Sequence, residues 1–361
     1  MIGWTLGRYL SARFLQTIAA VFLLISGTLY VVDFVELLRR AGNIQNISAG
    51  DIAYLSLLRV PSASEQIMPF CVLFGTMATF VNLTRKLELL VARAVGVSAW
   101  GFLVPALTIA AAAGIGSVAL FNPAAAVMKQ RADAIETRLF GRNGKQDYHS
   151  SLWIRQKSVD GEAFIRAGQV SADGTNLTSA AAYVYDRAGK FEHRIVAQTG
   201  KLLPGVWQFG HARVTAPGEE SFAAGTYLLA TNLSPEEAVR GGIAPDSAPF
   251  WDLPSLRAAA EAAGLDGTRY RLQFHMLLAR PLLFVAMVLI AAAFSLRFFR
   301  FGGIEKMVSG GVGAGFMLYV AVKFVGDLGG AGLLSPLIAA WSPAVVASLL
   351  GAFALLNQED G

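Results

Sequence analysis

Charged side chains are scarce in this chain. They make up only 15% of its 361 residues, whereas a soluble domain carries about 25%. The deficit lies in apolar stretches on both sides of a polar middle segment. The net charge of +5 is mild and gives no nucleic-acid-binding signature. The composition therefore predicts a membrane protein with a polar insertion and without a nucleic-acid partner.

Residues that commonly carry chemistry are also few. The single cysteine, Cys71, excludes a disulfide within the chain, and its apolar surroundings favour a packed side chain over a reactive thiol. The four histidines show no H-E-x-x-H motif or close metal-binding spacing. Neither a G-x-x-x-x-G-K-[ST] phosphate loop nor a G-x-S-x-G nucleophile motif is present. We therefore expect no metal, no cofactor, no catalytic residue and no ATP hydrolysis by this chain.

Six apolar stretches have the length of about 20 residues that crosses a bilayer. The predicted spans are Phe14–Val32, Leu57–Val81, Val97–Phe121, Met276–Leu296, Met307–Val325 and Leu333–Leu356. We interpret the first as a retained helix and not as a cleaved signal peptide. In the fifth span, Gly311 and Gly315 form a G-x-x-x-G pattern. This pattern indicates close helix packing better than it indicates a dinucleotide-binding loop.

Basic residues in the short loops predict the orientation of the spans. One side of the membrane has most of them: Arg8, Arg13, Arg85, Lys86, Arg93, Arg297, Arg300 and Lys306. The other side has only Arg39, Arg40 and Lys323. Because positive charge is retained in the cytoplasm, both termini are expected there. The long segment between the third and fourth spans is then periplasmic.

The polar middle segment reads as β-structure from about residue 152 to 231. Short strand-like runs recur about every ten residues between turn dipeptides such as Asp160-Gly161. This spacing predicts an antiparallel sandwich or jelly roll. Two helices should follow, one capped by Ser234 and one capped by Asp252. The predicted fold is thus an α-helical polytopic membrane protein, six transmembrane helices with an all-β, jellyroll-like domain between helices 3 and 4, divided as 1–135, 136–265 and 266–361.

The loop between the second and third spans contains an amphipathic pattern. An apolar stripe at helical spacing is formed by Leu87, Leu90, Val91 and Ala94. Polar residues off this stripe are Arg85, Glu88 and Arg93. A helix over about 84–96 is predicted to lie along the membrane and to present Glu88 to an arginine of a soluble partner. An ion pair between Arg85 and Glu88 within the helix explains the pattern equally well.

Three segments carry a resemblance to a known family. The loop Leu87–Ser98, the N-terminal stretch Arg8–Arg40 and the segment Tyr270–Pro281 resemble the lipopolysaccharide-export permeases of the YjgP/YjgQ (LptF/LptG) family. The span count and the inserted β domain fit the same family over nearly the whole chain. The run Val32–Leu37 and the glycine-rich fifth span are more similar to the LptG-type member than to the LptF-type member.

This resemblance implies a function. Family members act in the inner membrane of Gram-negative bacteria as permease subunits of an ABC transporter. They extract lipopolysaccharide and pass it to a periplasmic bridge toward the outer membrane. The implied partners are a paralogous LptF-type permease, a cytoplasmic LptB-type ATPase dimer, a single-span LptC-type protein and a soluble LptA-type protein. Glu88 takes the place of the coupling acid, with Arg85, Leu90 and Arg93 on the same coupling helix.

Lipopolysaccharide carries phosphates at the membrane surface, so basic residues at the periplasmic helix ends are candidate ligands. These are Arg39, Arg40, Arg131, Arg138, Arg142, Arg269 and Arg271. Arg40 is expected to pair with Glu36 at i,i+4. Arg131, Arg138 and Arg142 share one face of a helix after the third span, and a solvated face explains them somewhat better than a lipid site. Arg280 lies deeper and is expected to snorkel outward. Phe316 is a candidate for the apolar wall below the phosphates.

Two other functions fit the same layout. A non-transporting scaffold would recruit partners by pairing at the edges of its β domain. A permease for another lipid or for a lipoprotein is the other alternative. A scaffold would tolerate loss of Glu88 and would not copurify with an ATPase.

Overall fold

The computed structural model describes residues 4–42, 47–96, 98–140, 152–158, 161–170, 175–186, 189–218, 220–231, 245–262, 266–301 and 304–359. The chain divides into two compact units. The membrane unit comprises residues 1–136, 249–251 and 272–361, and the inserted unit comprises residues 137–248 and 252–271. The α-helices are α1 (Trp4–Ala41), α2 (Ala49–Arg85), α3 (Glu88–Ala94), α4 (Ala99–Gly116), α5 (Asn122–Phe140), α6 (Leu253–Ala262), α7 (Thr268–Phe301), α8 (Ile304–Gly330) and α9 (Pro336–Glu359).

Six helices in the described residues are long and apolar enough to cross a membrane. Five of them are α1, α2, α7, α8 and α9, and the third span joins α4 to α5 through the π-helical segment Ser117–Phe121. Pro61 and Pro69 lie inside α2 without ending it, because neighbouring helices can compensate for the lost backbone hydrogen bond. The prediction of a polytopic helical membrane protein is confirmed.

Small residues set the helix contacts of the membrane unit. A Cβ added to Gly75 of α2 would lie 2.7 Å from the backbone of Ile18, so α1 and α2 are in backbone contact there. Gly114 contacts Pro281 of α7 in the same way. Glycine at these positions allows the close approach that drives helix association in lipid, where burial of apolar surface contributes little.

Gly311 and Gly315 lie on the face of α8 that contacts α2. A Cβ at Gly311 would be 2.6 Å from Cε of Met77, and a Cβ at Gly315 would overlap a δ-methyl group of Leu73. Leu73 is fully buried. The G-x-x-x-G pattern therefore faces a helix contact within the chain.

The inserted unit contains a six-stranded antiparallel sheet with the strand order β1-β2-β3-β4-β5-β6. Its strands are β1 (Leu152–Ser158), β2 (Gly161–Val170), β3 (Asn176–Tyr185), β4 (Phe191–Leu203), β5 (Val206–Thr215) and β6 (Phe222–Ala230). The inserted β domain between the third and fourth spans is confirmed. Each described strand pairs with its neighbours in sequence, so the described sheet is a meander and contains none of the crossovers of a jelly roll.

Alternation along the strands builds the core of this sheet. Every second residue of β3 and β4 faces inward over much of its length, and the largest buried side chains are Trp207 and Phe209 of β5. Tight hairpins enforce the sequential pairing. One of them turns at Gly205, whose φ of +79° favours glycine.

Two helices were predicted after the sheet. The helix capped by Ser234 lies outside the described residues. The second, α6, spans Leu253–Ala262 and follows Asp252 as expected.

Candidate functional site

The loop between the second and third spans forms the short helix α3. It covers Glu88–Ala94, which is shorter than the predicted 84–96. A sharp turn precedes it, in which the amide of Leu87 donates to the carbonyl of Thr84 at 2.9 Å and Leu87 has a φ of +59°. The turn, rather than the apolar pattern of the helix itself, therefore sets the rotation of α3.

The predicted apolar stripe of α3 points away from the rest of the chain. Leu87, Leu90 and Val91 are 57%, 50% and 61% exposed, whereas Leu89, which is off the stripe, is only 2% exposed. Leu89 belongs to the hydrophobic core of the membrane unit. α3 thus packs on the core of the unit through Leu89 and presents an apolar face that no described residue covers.

Glu88 is held by the first span. The phenol of Tyr9 donates to its Oε2 at 3.1 Å and lies 3.3 Å from its Oε1. Arg13, one turn along α1, donates from Nε to the Tyr9 oxygen at 3.2 Å, and its guanidinium lies 5.4 Å from the centre of the Tyr9 ring. Sequence analysis missed both residues, because no local pattern joins positions so far apart.

The alternative pairing of Glu88 with Arg85 is not formed. Arg85 is exposed and makes no ion pair with any described residue. It lines a cavity of about 380 Å³ between α2 and α8, together with Asn82 and apolar side chains that include Phe74 and Val308. The side chain of Arg93 lies outside the described residues.

Glu36 neutralises one of the two basic residues at the end of α1. Arg40 donates from Nε to Glu36 at 3.0 Å, as predicted. Arg39 approaches the same carboxylate only at 3.8 Å, and its side chain is 83% exposed. Arg39 is therefore the better placed of the two for an external anion.

A third arginine that sequence analysis missed extends this cluster. Arg59 of α2 lies 3.5 Å from Asp33 of α1 and 3.9 Å from Glu136 of α5. Arg40 also comes within 4.0 Å of Glu136. These ion pairs join the ends of the first three spans, and the charge of Arg40 is neutralised by acids of the same chain.

The other predicted ligand residues are found at separate places. Arg131 of α5 is exposed, and the side chain of Arg138 and the whole of Arg142 lie outside the described residues. Arg269 and Arg271 are exposed at the start of α7 and belong to the inserted unit. Phe316 on α8 is 56% exposed. Among the described residues, no group of three or more His, Cys, Asp and Glu side chains is placed to hold a metal ion.

The expectation for Arg280 was wrong. It does not extend outward but donates from Nη1 to Glu65 of α2, and Ser117 Oγ is 3.4 Å from the same nitrogen. The side chains of Arg280 and Glu65 are 17% and 10% exposed. A charge inside a membrane span requires such a partner. The signal in the sequence was a lone acid in the second span and a lone base in the fourth.

Comparison with known proteins identifies the family. The sequence profile described as "Lipopolysaccharide export system permease LptF/LptG" matches residues 8–357. No curated protein gives a significant match. The match covers nearly the whole chain, including all six spans and the inserted sheet. This chain therefore belongs to the LptF/LptG family of lipopolysaccharide export permeases and is a multi-pass inner membrane protein.

Proposed function

We propose that this chain is the LptG-type permease subunit of the ABC transporter that extracts lipopolysaccharide from the inner membrane. Its termini and α3 face the cytoplasm, and its sheet faces the periplasm. An LptF-type permease is its paralogous partner, and an LptB-type dimer hydrolyses ATP. LptC-type and LptA-type proteins receive the lipid. The family match supports this assignment, and the basic residues in the short loops support the orientation.

One observation carries the coupling role of α3. The helix α3 combines an acid, Glu88, with an apolar face that nothing else in the described chain covers. The apolar face fits a groove of the ATPase, and Glu88 accepts a charge-assisted hydrogen bond from an arginine of that groove. Leu90 lies on the docking face, while Arg85 and Arg93 flank the acid. Closure of the ATPase dimer then displaces α3 together with the residues it contacts.

The periplasmic helix ends bind the phosphates of the lipid. Arg39 leads this set because its side chain is exposed and only loosely paired. Arg40 contributes less because Glu36 and Glu136 already neutralise it. The further phosphate ligands are Arg131, Arg138, Arg142, Arg269 and Arg271. Phe316 contacts the acyl chains from α8.

The coupling role is tested by lipid transfer in proteoliposomes that contain the full transporter. Glu88→Gln removes the charge but keeps the shape of the side chain, so transfer of lipopolysaccharide to the soluble bridge protein should fall about tenfold, the effect of losing about 1.4 kcal/mol. Glu305→Gln is the matched control, because Glu305 is an exposed acid at the start of α8. Transfer at the normal rate by Glu88→Gln, with normal assembly, contradicts the coupling role.

The lipid site is tested by photo-crosslinking in cells. A photoreactive residue at position 39 or 316 should capture lipopolysaccharide, whereas one at position 40 should capture less. If positions 39 and 316 both fail to capture lipid in a correctly inserted protein, the site is wrong. A scaffold, by contrast, would copurify with periplasmic proteins but without an ATPase, so mass spectrometry of the detergent-purified complex separates the two functions.

A further inference from the structure

The membrane unit contains a buried polar network that has no part in the proposed coupling or lipid sites. Four side chains form it: Glu65 of α2, Ser117 and Asn122 of the third span, and Arg280 of α7. Counted as whole residues, Glu65, Ser117 and Asn122 are 8%, 3% and 4% exposed. Ionisable residues inside spans are costly and mark functional elements. The network joins the second, third and fourth spans.

Asn122 is the branch point of this network. Its Nδ2 donates to Glu65 Oε1 at 2.8 Å, and its Oδ1 accepts from the backbone amide of Phe250 at 2.8 Å. Only one orientation of the amide satisfies both partners, because Glu65 can only accept and the Phe250 amide can only donate. The charge at position 65 therefore fixes the orientation in which Asn122 holds Phe250.

The held residue belongs to a short segment with an unusual place in the chain. Pro249–Trp251, which we name the return segment, is part of the membrane unit, although residues 137–248 and 252–271 on either side belong to the inserted unit. The ring of Phe250 stacks on Phe274 of α7 with ring centres 5.1 Å apart. Trp251 donates from Nε1 to the carbonyl of Ala119 at 3.2 Å. The return segment is thus held by contacts within the membrane unit, while the residues before and after it in the chain belong to the inserted unit.

Both hydrogen bonds of the return segment end on or beside the π-helical segment Ser117–Phe121. Ala119 lies inside it, and Asn122 follows it and donates its amide hydrogen to the Ser117 carbonyl in an i→i+5 bond. π turns are rare and often occur at functional sites. Conversion of this turn to α-helix would shift the register by one residue and rotate Asn122 by about 100°. Asn122 would then lose Glu65 and Phe250 together.

We propose that Asn122 is a positioning residue that locks the π register of the third span to the Glu65–Arg280 pair and holds the return segment in that register. A relative movement of α2 and α7 that separates the pair frees Asn122 and releases the return segment. Movement of the spans is thereby transmitted to the return segment. The proposal depends on these contacts alone and not on the proposed role of Glu88.

Amide hydrogen exchange of the full-length protein in detergent tests this lock. Overlapping peptides resolve exchange at Phe250 and Trp251, the two residues of the return segment that have an amide hydrogen, since Pro249 has none. Asn122→Leu keeps the size of the side chain but removes both hydrogen bonds, so exchange at Phe250 should rise at least tenfold. Thr79→Ala is the matched control, because Thr79 is a buried residue whose hydroxyl donates within its own helix, to the Gly75 carbonyl at 2.8 Å, and bonds to no described residue of another helix.

A second variant tests whether exchange at Phe250 depends on the Glu65–Arg280 pair or only on the hydrogen bond from Phe250 to Asn122. It is designed so that no lone charge stays buried. The double variant Glu65→Leu with Arg280→Met removes the ion pair without leaving an unpaired ion. Its exchange at Phe250 should also rise at least tenfold, although neither substituted residue bonds to Phe250. If only Asn122→Leu raises exchange, the link to the spans is overturned. If Asn122→Leu itself exchanges like the parent protein, the whole proposal is overturned.

Discussion

Gly315→Ala should destabilise the membrane unit by about 1–3 kcal/mol, the usual cost of overpacking a well-packed site. The added Cβ would overlap a δ-methyl group of Leu73. Leu73 is fully buried, so this methyl group cannot move out into solvent and must displace its neighbours. Gly311→Ala should cost less, because its Cβ would meet the flexible end of Met77 at 2.6 Å. Gly313→Ala should be neutral or stabilising by up to about 1 kcal/mol, since nothing lies within 4 Å and alanine favours the helix.

The free energy of unfolding, measured by titration with sodium dodecyl sulfate from mixed micelles, ranks the three variants on one scale. Leu73→Val supplies the second arm of a double-mutant cycle, because it withdraws the overlapping methyl group. The loss from Gly315→Ala should then be smaller in the Leu73→Val background than in the parent, with a coupling energy of about 0.5–3 kcal/mol. If Gly313→Ala lowered the free energy of unfolding as much as Gly315→Ala, the loss would come from helix propensity or lipid contact and not from overlap with Leu73. The packing argument would then be refuted.

Three further predictions address other parts of the molecule. Tyr9→Phe should lower lipid transfer, as Glu88→Gln does, because Tyr9 acts through its hydrogen bond to Glu88. The variant with both substitutions should therefore transfer lipid no more slowly than the slower of the two single variants. Additive losses in the transfer assay would show that the two residues act independently. The pKa of Asp266 is lowered below 3.8, chiefly by the Thr268 hydroxyl and then by its amide, so the stabilisation it provides is present above pH 3.8 and is lost as the pH falls through the folded value. Asp266→Asn should therefore flatten the pH dependence of amide exchange at Thr268, and an unchanged profile would exclude this carboxylate as the cause. Trp207→Ala should destabilise the sheet by about 3–5 kcal/mol, seen as faster proteolysis within the inserted unit, while proteolysis at parental rates would mean that Trp207 is not central to its core.

The spans were predictable from sequence because the bilayer imposes one length and one composition on every crossing helix. Each predicted span lies inside or overlaps a helix of the structure, and the helices extend further at several ends. The helix ends beyond the predicted spans contain polar or mixed residues. A prediction from hydropathy alone therefore ends each span where the apolar run ends. The π segment within the third span has no such signal, since Ser117–Phe121 reads as ordinary apolar helix.

The environment of α3 was predicted less well. The stripe at Leu87, Leu90 and Val91 is exposed on the protein surface, and its predicted place along the membrane stays a prediction. What the pattern missed is the residue that packs on the core, Leu89, which lies off the stripe. In a helix of seven residues, the preceding turn fixes which side faces the core, and periodicity carries little weight.

The order of strands was predicted only in part, for a related reason. Turn dipeptides such as Asp160-Gly161, between short strand-like runs that recur about every ten residues, correctly indicated an antiparallel sheet. A jelly roll and a meander share these local signals and differ only in which distant strands pair. The described strands follow the hairpins, because a two-residue turn such as the one at Gly205 leaves no alternative neighbour for its two strands.

Polar contacts have a particular role in a membrane unit that is otherwise so apolar. Contacts at small residues, such as Gly75 against the backbone of Ile18, permit close approach of two helices. They resist sliding of one helix along the other only weakly, because similar apolar contacts form again after a small shift. Hydrogen bonds between helices are directional and fix the register at single points. The hydrogen bonds from Tyr9 to Glu88 and from Arg280 to Glu65 therefore mark the places where a helix displacement must either be transmitted to its neighbour or break a bond. Since an unpaired charge is costly in lipid, transmission is the cheaper outcome at Glu65. At the partly exposed Glu88, water can replace the phenol, so this contact can break and form again.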